Sequence, residues 1–275
     1  MSKFKVGLQL FGIREEMGQD MDAALGAVKD IGYDYVEFAG YFGKSAAEVR
    51  SLLDKHGLKC LSVHQGPAIF DEQGQKAVDF LKTIGAGYCA IPSYPLDRFI
   101  NNFNETAEYF AKLGAMLKEN GIQLLYHNHD FEFNKIDGEY IFDKLFAAVP
   151  ADLLSPEIDT CWVRYAGEDP TKYIEKYAGG ISLVHLKDFV CGSFNSGPVY
   201  TLIGKDGREN TQAPKQDNGF EFRPVGYGIQ DFPAILAAAE KAGADTVIVE
   251  QDASVGRTPM EASKMSRDYL KSLGI

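Results

Sequence analysis

The stretch NGIQLLYHNHD, residues 120–130, decides the fold of this chain. A glycine follows a helix-like segment, a short apolar run follows the glycine, and the run stops in two histidines. Glycine at that place fits the left-handed residue that ends a helix just before a strand. The same order of helix, glycine and strand recurs along the chain at Gly32, Gly57, Gly85 and Gly243.

Short apolar runs typical of buried strands recur eight times, and amphipathic segments typical of helices separate them. Eight strand–helix repeats in 275 residues predict an α/β fold, a single-domain (β/α)8 TIM barrel over residues 1–275. A doubly wound open sheet is the alternative, but the first run lacks the glycine-rich phosphate turn of such sheets. The runs cover residues 5–12, 35–40, 60–66, 88–94, 122–129, 154–162, 181–189 and 245–252.

One segment, at about residues 191–228, interrupts this repeat with mixed polar and turn-forming residues. Loops of this length are uncommon in compact domains and are often functional. We therefore expect a long loop insertion after the seventh strand. It would act either as a lid over the barrel mouth or as a surface excursion that contacts another copy of the chain.

Composition excludes several classes of function. The net charge of −11 repels phosphate backbones, so a nucleic-acid partner is not expected. No run approaches the roughly 20 apolar residues of a membrane span, and the first residues lack a signal-peptide pattern. We expect a cytoplasmic protein without a membrane partner. Its four cysteines show no paired spacing and are expected to be reduced and buried, at Cys60, Cys89, Cys161 and Cys191.

In a TIM barrel the chemistry lies at the carboxyl ends of the strands. Four of the five histidines fall at such ends, and His56 is expected to be a solvated residue near a helix end. Alternation of side chains along each strand places acids and imidazoles together on the inner face. The inward candidates are Glu37, His64, His127, His129, Glu157, Asp159, His185, Lys187, Glu250 and Asp252.

Charged groups inside a barrel are costly unless they are paired or bind a metal. Imidazoles and carboxylates from separate strands suit a divalent ion. Each residue also has a purely structural alternative. His127 could be a hydrogen-bonded core histidine, and His64 could hold a loop. Glu157 could pair with Lys187, and Asp252 could cap the last helix.

Five motifs resemble the xylose isomerase-like barrel superfamily, which includes sugar phosphate isomerases/epimerases, inosose isomerases and a 2-keto-myo-inositol dehydratase. The resemblance covers essentially the whole chain. It implies one divalent ion, Mn, Co or Zn, held by His127, Asp159, His185 and Glu250. The motifs are GIQLLYHNH (121–129), EIDTCWV (157–163), LVHLKD (183–188), RPVGYG (223–228) and VIVEQD (247–252).

Two positions depart from relatives in this superfamily. His127 stands where a glutamate is common, and that glutamate serves as one of two bases in the epimerases. A histidine here is similar to the dehydratase branch, and Glu157 could restore the carboxylate. A DNA endonuclease with three zinc ions shares the barrel, but Trp162 replaces one of its histidine ligands, so a nuclease is not expected.

The resemblance implies an isomerase or epimerase acting on a small molecule: a keto-sugar, sugar phosphate or cyclitol. It would work by α-proton abstraction and a metal-stabilised enediolate. Glu250 or Glu157 would be the base, and Lys187 would position oxygens or donate a proton. A lyase, or a sugar-binding barrel without activity, are the alternatives, and a homo-oligomer is possible. Expected substrate contacts are Glu37, His64, His129, Trp162 and Arg223, with Phe11 and Phe70 stacking on the ring.

Overall fold

The structure, a computed structural model, describes residues 4–194 and 218–275. Eight parallel strands follow one another around a closed barrel, so the first strand pairs with both the second and the eighth. The predicted TIM barrel is confirmed, and the doubly wound alternative is wrong. The strands are β1 (Lys5–Gln9), β2 (Tyr35–Phe38), β3 (Lys59–His64), β4 (Tyr88–Ile91), β5 (Gln123–His127), β6 (Leu154–Asp159), β7 (Leu183–Leu186) and β8 (Thr246–Val249).

Helices surround the barrel, and short 3-10 turns follow β1 (Leu10–Ile13) and β5 (Phe131–Phe133). The helices are α1 (Arg14–Gln19), α2 (Met21–Ile31), α3 (Ala46–His56), α4 (Ala68–Gln73), α5 (Gln75–Ile84), α6 (Leu96–Asn101), α7 (Phe103–Glu119), α8 (Ile141–Ala148), α9 (Thr160–Tyr165), α10 (Pro170–Lys176), α11 (Phe232–Ala242) and α12 (Pro259–Ser272).

Helix ends follow the predicted glycine pattern. Gly57 ends α3 at a φ of 64°, and Gly243 ends α11 at a φ of 96°. A side chain at either position would be strained, because the left-handed region disfavours residues that carry a Cβ. At the other end of α3, Ser45 and Glu48 form a capping box, which satisfies backbone donors of the first turn.

The barrel interior changes from apolar to polar along the strands. Its floor is an apolar cluster that includes Leu125, Leu183 and Ile248. Two residues further along the same strands, on the same face, stand His127, His185 and Glu250. The outward residues between them, such as Val184 and Val249, belong to the main core between barrel and helices. This alternation directs polar side chains to the carboxyl end of the barrel.

Two short antiparallel strand pairs lie in the loops outside the barrel. One pairs Lys135–Ile136 with Glu139–Tyr140, and the other pairs Asp188–Val190 with Glu221–Arg223. The second brings together the two ends of the insertion predicted at about residues 191–228. Residues 195–217 of that insertion lie outside the described residues, so its role as a lid or as a contact between copies stays a prediction. Within residues 4–194 and 218–275, none of the helices has the length and apolar character needed to span a bilayer.

Candidate functional site

Four buried side chains at the carboxyl ends of β5 to β8 meet in one group, named here the metal-donor cluster: His127, Asp159, His185 and Glu250. One donor atom of each lies within 4.8 Å of the others. His185 Nδ1 is 2.8 Å from Glu250 Oε2, and His127 Nε2 is 3.6 Å from Asp159 Oδ2. The structure thus brings together the four residues expected to hold a metal ion.

The two carboxylate oxygens of Asp159 have different roles: one caps a helix, and the other faces the metal-donor cluster. Its Oδ1 accepts hydrogen bonds from the backbone N–H groups of Cys161 (2.8 Å) and Trp162 (3.3 Å), which caps α9. Its Oδ2 has no hydrogen-bond partner among the described residues and lies 3.6 Å from both His127 Nε2 and Lys187 Nζ. Asn128 Oδ1 accepts the backbone N–H of Asp159 at 3.0 Å and ties the ends of β5 and β6 together. A buried carboxylate oxygen left over in this way fits a cation ligand.

A second group, named here the buttress cluster, consists of Glu37, His64 and Glu157. His64 Nε2 lies 3.0 Å from Glu37 Oε1 and 2.7 Å from Glu157 Oε2. A register irregularity between Val36 and Glu37 marks β2 just where Glu37 turns inward. Such bulges re-aim side chains near active sites. The alternative that Glu157 pairs with Lys187 is wrong, because its partners are imidazoles.

Lys187 is fully buried among carboxylates and aromatic rings. Its Nζ is 2.7 Å from Asp252 Oδ2 and 3.4 Å from Glu250 Oε2. The same ammonium lies 5.1 Å from the centre of the Trp162 ring. Asp252 therefore balances a buried cation. The alternative that it caps the last helix is wrong, because Thr258 caps α12.

The surroundings shift the pKa values of the two carboxyls of the metal-donor cluster in opposite directions. Burial acts to raise the pKa of Glu250, but the neighbouring Lys187 and His185 outweigh it and hold that pKa well below its usual range. Burial raises the pKa of Asp159 to about 7, against the opposing effect of Lys187. Carboxyl pairs whose pKa values are pushed apart are typical of acid–base sites.

The expected substrate contacts do not all reach the site. His129 lies beside the metal-donor cluster, with its ring centre 5.1 Å from that of His127. Trp162 is fully buried and stacks on Phe220 at 5.8 Å, so protein already covers one face of its ring. Arg223 forms an ion pair with Glu221 on its own short strand, outside both clusters.

The two phenylalanines expected to stack on substrate also contact other side chains of this protein. Phe70 is buried in the main core, which makes it a packing residue. The guanidinium of Arg14 lies 4.4 Å from the centre of the Phe11 ring. Phe70 therefore offers no open face for stacking on a sugar ring, and Arg14 occupies one face of the partly exposed Phe11.

Predictions made for residues away from the clusters have mixed outcomes. His56 ends α3 as expected, but it is bonded rather than solvated, with Nε2 2.6 Å from Asp22 Oδ1. None of the four cysteines is joined in a disulfide, and their reduced state stays a prediction. Three of them are buried, at Cys60, Cys89 and Cys161, whereas Cys191 is partly exposed.

Three further residues shape the site and were not predicted. Gln9 Nε2 donates to Glu37 Oε1 at 2.6 Å, and Asn128 ties β5 to β6. Glu132 Oε2 accepts the backbone N–H of His129 at 2.8 Å. Strand parity could have found Gln9, since it shares the inner face with Gly7. Glu132 follows the strand in a 3-10 turn, where no periodicity signals its direction.

Comparisons with known proteins show which family the chain belongs to. The model of the xylose isomerase-like TIM barrel family matches residues 25–273. An inosose dehydratase of Mesomycoplasma hyopneumoniae (strain 7448) is 26% identical over 283 residues, which span 94% of this chain and 91% of that protein.

Solved structures share the fold over almost the whole chain. A sugar phosphate isomerase/epimerase from Parabacteroides distasonis ATCC 8503 superposes with a TM-score of 0.78 at 24% identity, over 99% of this chain and 95% of that one. The IolI protein with a bound zinc atom gives a TM-score of 0.68 at 15% identity, over 98% of each chain. The family match covers most of the sequence, and the chain belongs to the xylose isomerase-like TIM barrel family.

Proposed function

We propose that this protein removes the proton beside the carbonyl of a keto-cyclitol or keto-sugar, with a divalent ion in the metal-donor cluster. The observation that carries the proposal is the cluster itself: two imidazoles and two carboxylates, all buried, with donor atoms within 4.8 Å of one another. Nitrogen and oxygen donors in this combination suit Zn, Mn or Co. When bound, such an ion supplies a Lewis acid that polarises the carbonyl and stabilises the negative charge that develops on it.

Glu250 is the group best placed to take the proton. Its pKa is held well below its usual range, because Lys187 and His185 outweigh the effect of burial, so it is ionised at neutral pH. It also retains slight exposure, at 5% of its side chain, whereas Glu157 is fully enclosed. The Lys187 ammonium lies 3.4 Å from Glu250 and can donate the proton in a second proton transfer. Positioned acids and bases of this kind contribute about 10²- to 10⁴-fold each.

We propose that elimination of water follows this abstraction. Glu250 takes the α-proton, and the electron pair of the C–H bond forms a carbon–carbon double bond. The β-hydroxyl then leaves with the electrons of its C–O bond, and the Lys187 ammonium protonates it to water. Since Glu157 is bound to imidazoles, it is poorly placed as the second base that epimerisation requires. The relatives named inosose dehydratase also support this outcome.

Isomerisation or epimerisation of the same substrates is the second candidate. The opposite pKa shifts of Asp159 and Glu250, whose causes are given above, favour it, because an exchange of protons needs an acid and a base together. A binding barrel without activity is poorly supported, since each of the four donor positions carries a metal-binding residue type.

The reaction can be followed with a keto-inositol and Mn²⁺ in deuterated water. Elimination predicts a product lighter by one water, whereas isomerisation or epimerisation predicts a product that gains deuterium without losing water. For elimination, deuterium on the α-carbon is expected only in recovered substrate, because this carbon keeps no hydrogen when the carbon–carbon double bond forms. If neither exchange nor product forms with keto-inositols and a panel of keto-sugars, the proposed function is wrong.

Lys187→Met separates the two proton transfers. We expect loss of water to slow by about 10²-fold or more, while exchange of the α-proton continues, because Glu250 remains. Lys118→Met is the matched control, since Lys118 is half exposed and pairs with Asp152 on the surface. Circular dichroism checks that the variants fold. Equal losses of exchange and elimination in folded Lys187→Met would show that Lys187 is not the proton donor.

A further inference from the structure

Both histidines of the metal-donor cluster turn one ring nitrogen toward the cluster and the other toward a buried acid. His127 Nε2 faces Asp159, while its Nδ1 lies 3.2 Å from Glu157 Oε2. His185 Nδ1 faces Glu250 at 2.8 Å, while its Nε2 lies 2.9 Å from Glu37 Oε1. The two acids belong to the buttress cluster, and Glu157 Oε2 also lies 3.4 Å from His185 Nε2.

A neutral imidazole carries one N–H and one lone pair, and only the lone pair can bind a metal ion. The hydrogen bond at the far nitrogen decides which nitrogen keeps the proton. Carboxylates in this position hold the ring in place and raise its basicity as a ligand. Here the far nitrogens are Nδ1 of His127, which is hydrogen-bonded to Glu157, and Nε2 of His185, which lies at ion-pair distance from Glu37 without an aligned hydrogen bond.

We infer that Glu37 and Glu157 are positioning residues, which fix the proton on the far nitrogen of His185 and His127 and so present the near nitrogen to a metal ion. This inference rests on the metal site of the proposed function. Neither acid needs to touch substrate for this role, so Glu157 acts through His127 rather than as a base.

The remaining parts of the buttress cluster fit that role. His64 lies between the two acids, with Nε2 3.0 Å from Glu37 Oε1 and 2.7 Å from Glu157 Oε2. Gln9 donates to Glu37 Oε1 at 2.6 Å and holds that carboxylate from the opposite side. All of these side chains are buried, and charged pairs lose little to solvent screening there.

A second metal ion is the competing explanation. His64, His127, Glu157 and His185 also place four donor atoms within 4.8 Å of one another. That ion would bind the far nitrogens of His127 and His185. If both sites were filled, each of these rings would have to lose its N–H proton and bridge two ions, which makes the positioning role the simpler account.

The test measures Co²⁺ affinity by competition with a chelator, together with the number of ions bound and the visible spectrum of the bound Co²⁺. For Glu157→Gln and Glu37→Gln we expect binding about 10- to 100-fold weaker, a changed spectrum, and still one ion. Glu168→Gln is the matched control, because this partly buried acid accepts a hydrogen bond from the Tyr140 hydroxyl and lies outside both clusters. Its affinity should stay within about twofold of wild type, since no ligand loses its hydrogen-bond partner.

Each other outcome has a defined meaning. Unchanged affinity and spectrum in both variants would overturn the inference while leaving the metal site intact. Two ions in the wild type and one in the variants would overturn it in favour of a second site. Binding of no metal by the wild type would instead overturn the proposed function. Should a glutamate variant fail to fold, Gln9→Met leaves both acids in place and removes the hydrogen bond to Glu37, together with the one that Gln9 Oε1 accepts from the Phe11 N–H. Weaker Co²⁺ binding in that variant supports the inference, and unchanged binding opposes it.

Discussion

Glu132 shows at the scale of one residue how burial sets chemistry in this barrel. It is fully buried, and burial raises its pKa to about 8 in spite of hydrogen bonds from Tyr126 and the His129 backbone. The Tyr126 hydroxyl donates to Oε1 at 2.5 Å, and the His129 N–H donates to Oε2 at 2.8 Å. Near neutral pH the folded protein therefore keeps a proton on this carboxyl, whereas the unfolded chain releases it.

The consequence is a fall of stability with rising pH. Between the ordinary pKa of 4.5 and the folded value of about 8, the native state binds more protons than the unfolded state, so the free energy of unfolding decreases. Below 4.5 the group is protonated in both states, and above 8 the loss is complete. The total is on the order of 5 kcal/mol, because one unit of pKa shift corresponds to about 1.4 kcal/mol.

Glu132→Gln tests this. The amide keeps the shape of the protonated carboxyl, with one accepting oxygen and a donating NH2 in place of the O–H, and it does not titrate. The variant should therefore gain stability relative to wild type as pH rises from about 5 to 8. Urea unfolding at several pH values measures the difference between the two proteins, which cancels the contributions of groups they share. A difference that stays constant across this range would contradict the assignment.

Residue directions were predictable from the sequence, but partners were not. Strand parity placed His127, His185 and Glu250 on the inner face. It could not tell that Glu157 pairs with His64, or that Asp252 pairs with Lys187. These pairs join strands far apart in the chain, and their choice depends on the tilt and stagger of the closed barrel.

At the scale of elements, Asp188 joins β7 to the segment that follows the insertion. Its carboxylate accepts backbone N–H groups from Gly226 (3.0 Å), Gly228 (2.8 Å) and Gln230 (3.2 Å). Gly228 packs so closely on this carboxylate that an added Cβ would collide with Asp188 and with the carbonyl oxygen of Phe189. A glycine is required here by close approach rather than by backbone conformation.

Gly228→Ala should therefore loosen this junction. We expect a loss of about 1–3 kcal/mol in unfolding free energy, as for other overpacked sites, and faster hydrogen exchange in residues 221–230. Gly66→Ala is the control, since a Cβ at Gly66 meets none of the described atoms within 4 Å. Urea unfolding and exchange mass spectrometry give the two readouts. If hydrogen exchange in Gly228→Ala is as slow as in the wild type, the junction tolerates the added Cβ and the prediction is wrong.

The eight strands and the glycine-terminated helices were predictable because their signals are local: an apolar run, a helical period and a glycine at the boundary. The hairpin between Asp188–Val190 and Glu221–Arg223 was not. Its strands have three residues each and are separated by a long insertion, so neither length nor periodicity reveals the pairing.

At the scale of the whole molecule, closure of the barrel gathers the site. The metal-donor cluster takes one residue from the carboxyl end of each of the four strands β5 to β8. These four residues are spread over more than a hundred residues of sequence. Its two carboxylates and Asp252 are buried beside Lys187. A bound divalent cation would offset this negative charge, since buried carboxylates are stable only when they are paired or ligate a metal.

Metal content tests the central claim most directly. Protein purified without chelator or nickel affinity resin should hold about one equivalent of Mn, Co or Zn, and His185→Ala should lose it. His56→Ala is the matched control, because His56 pairs with Asp22 at a surface helix and should leave the metal in place. Metal absent from wild type, and not taken up from a mixture of divalent ions, would contradict the account.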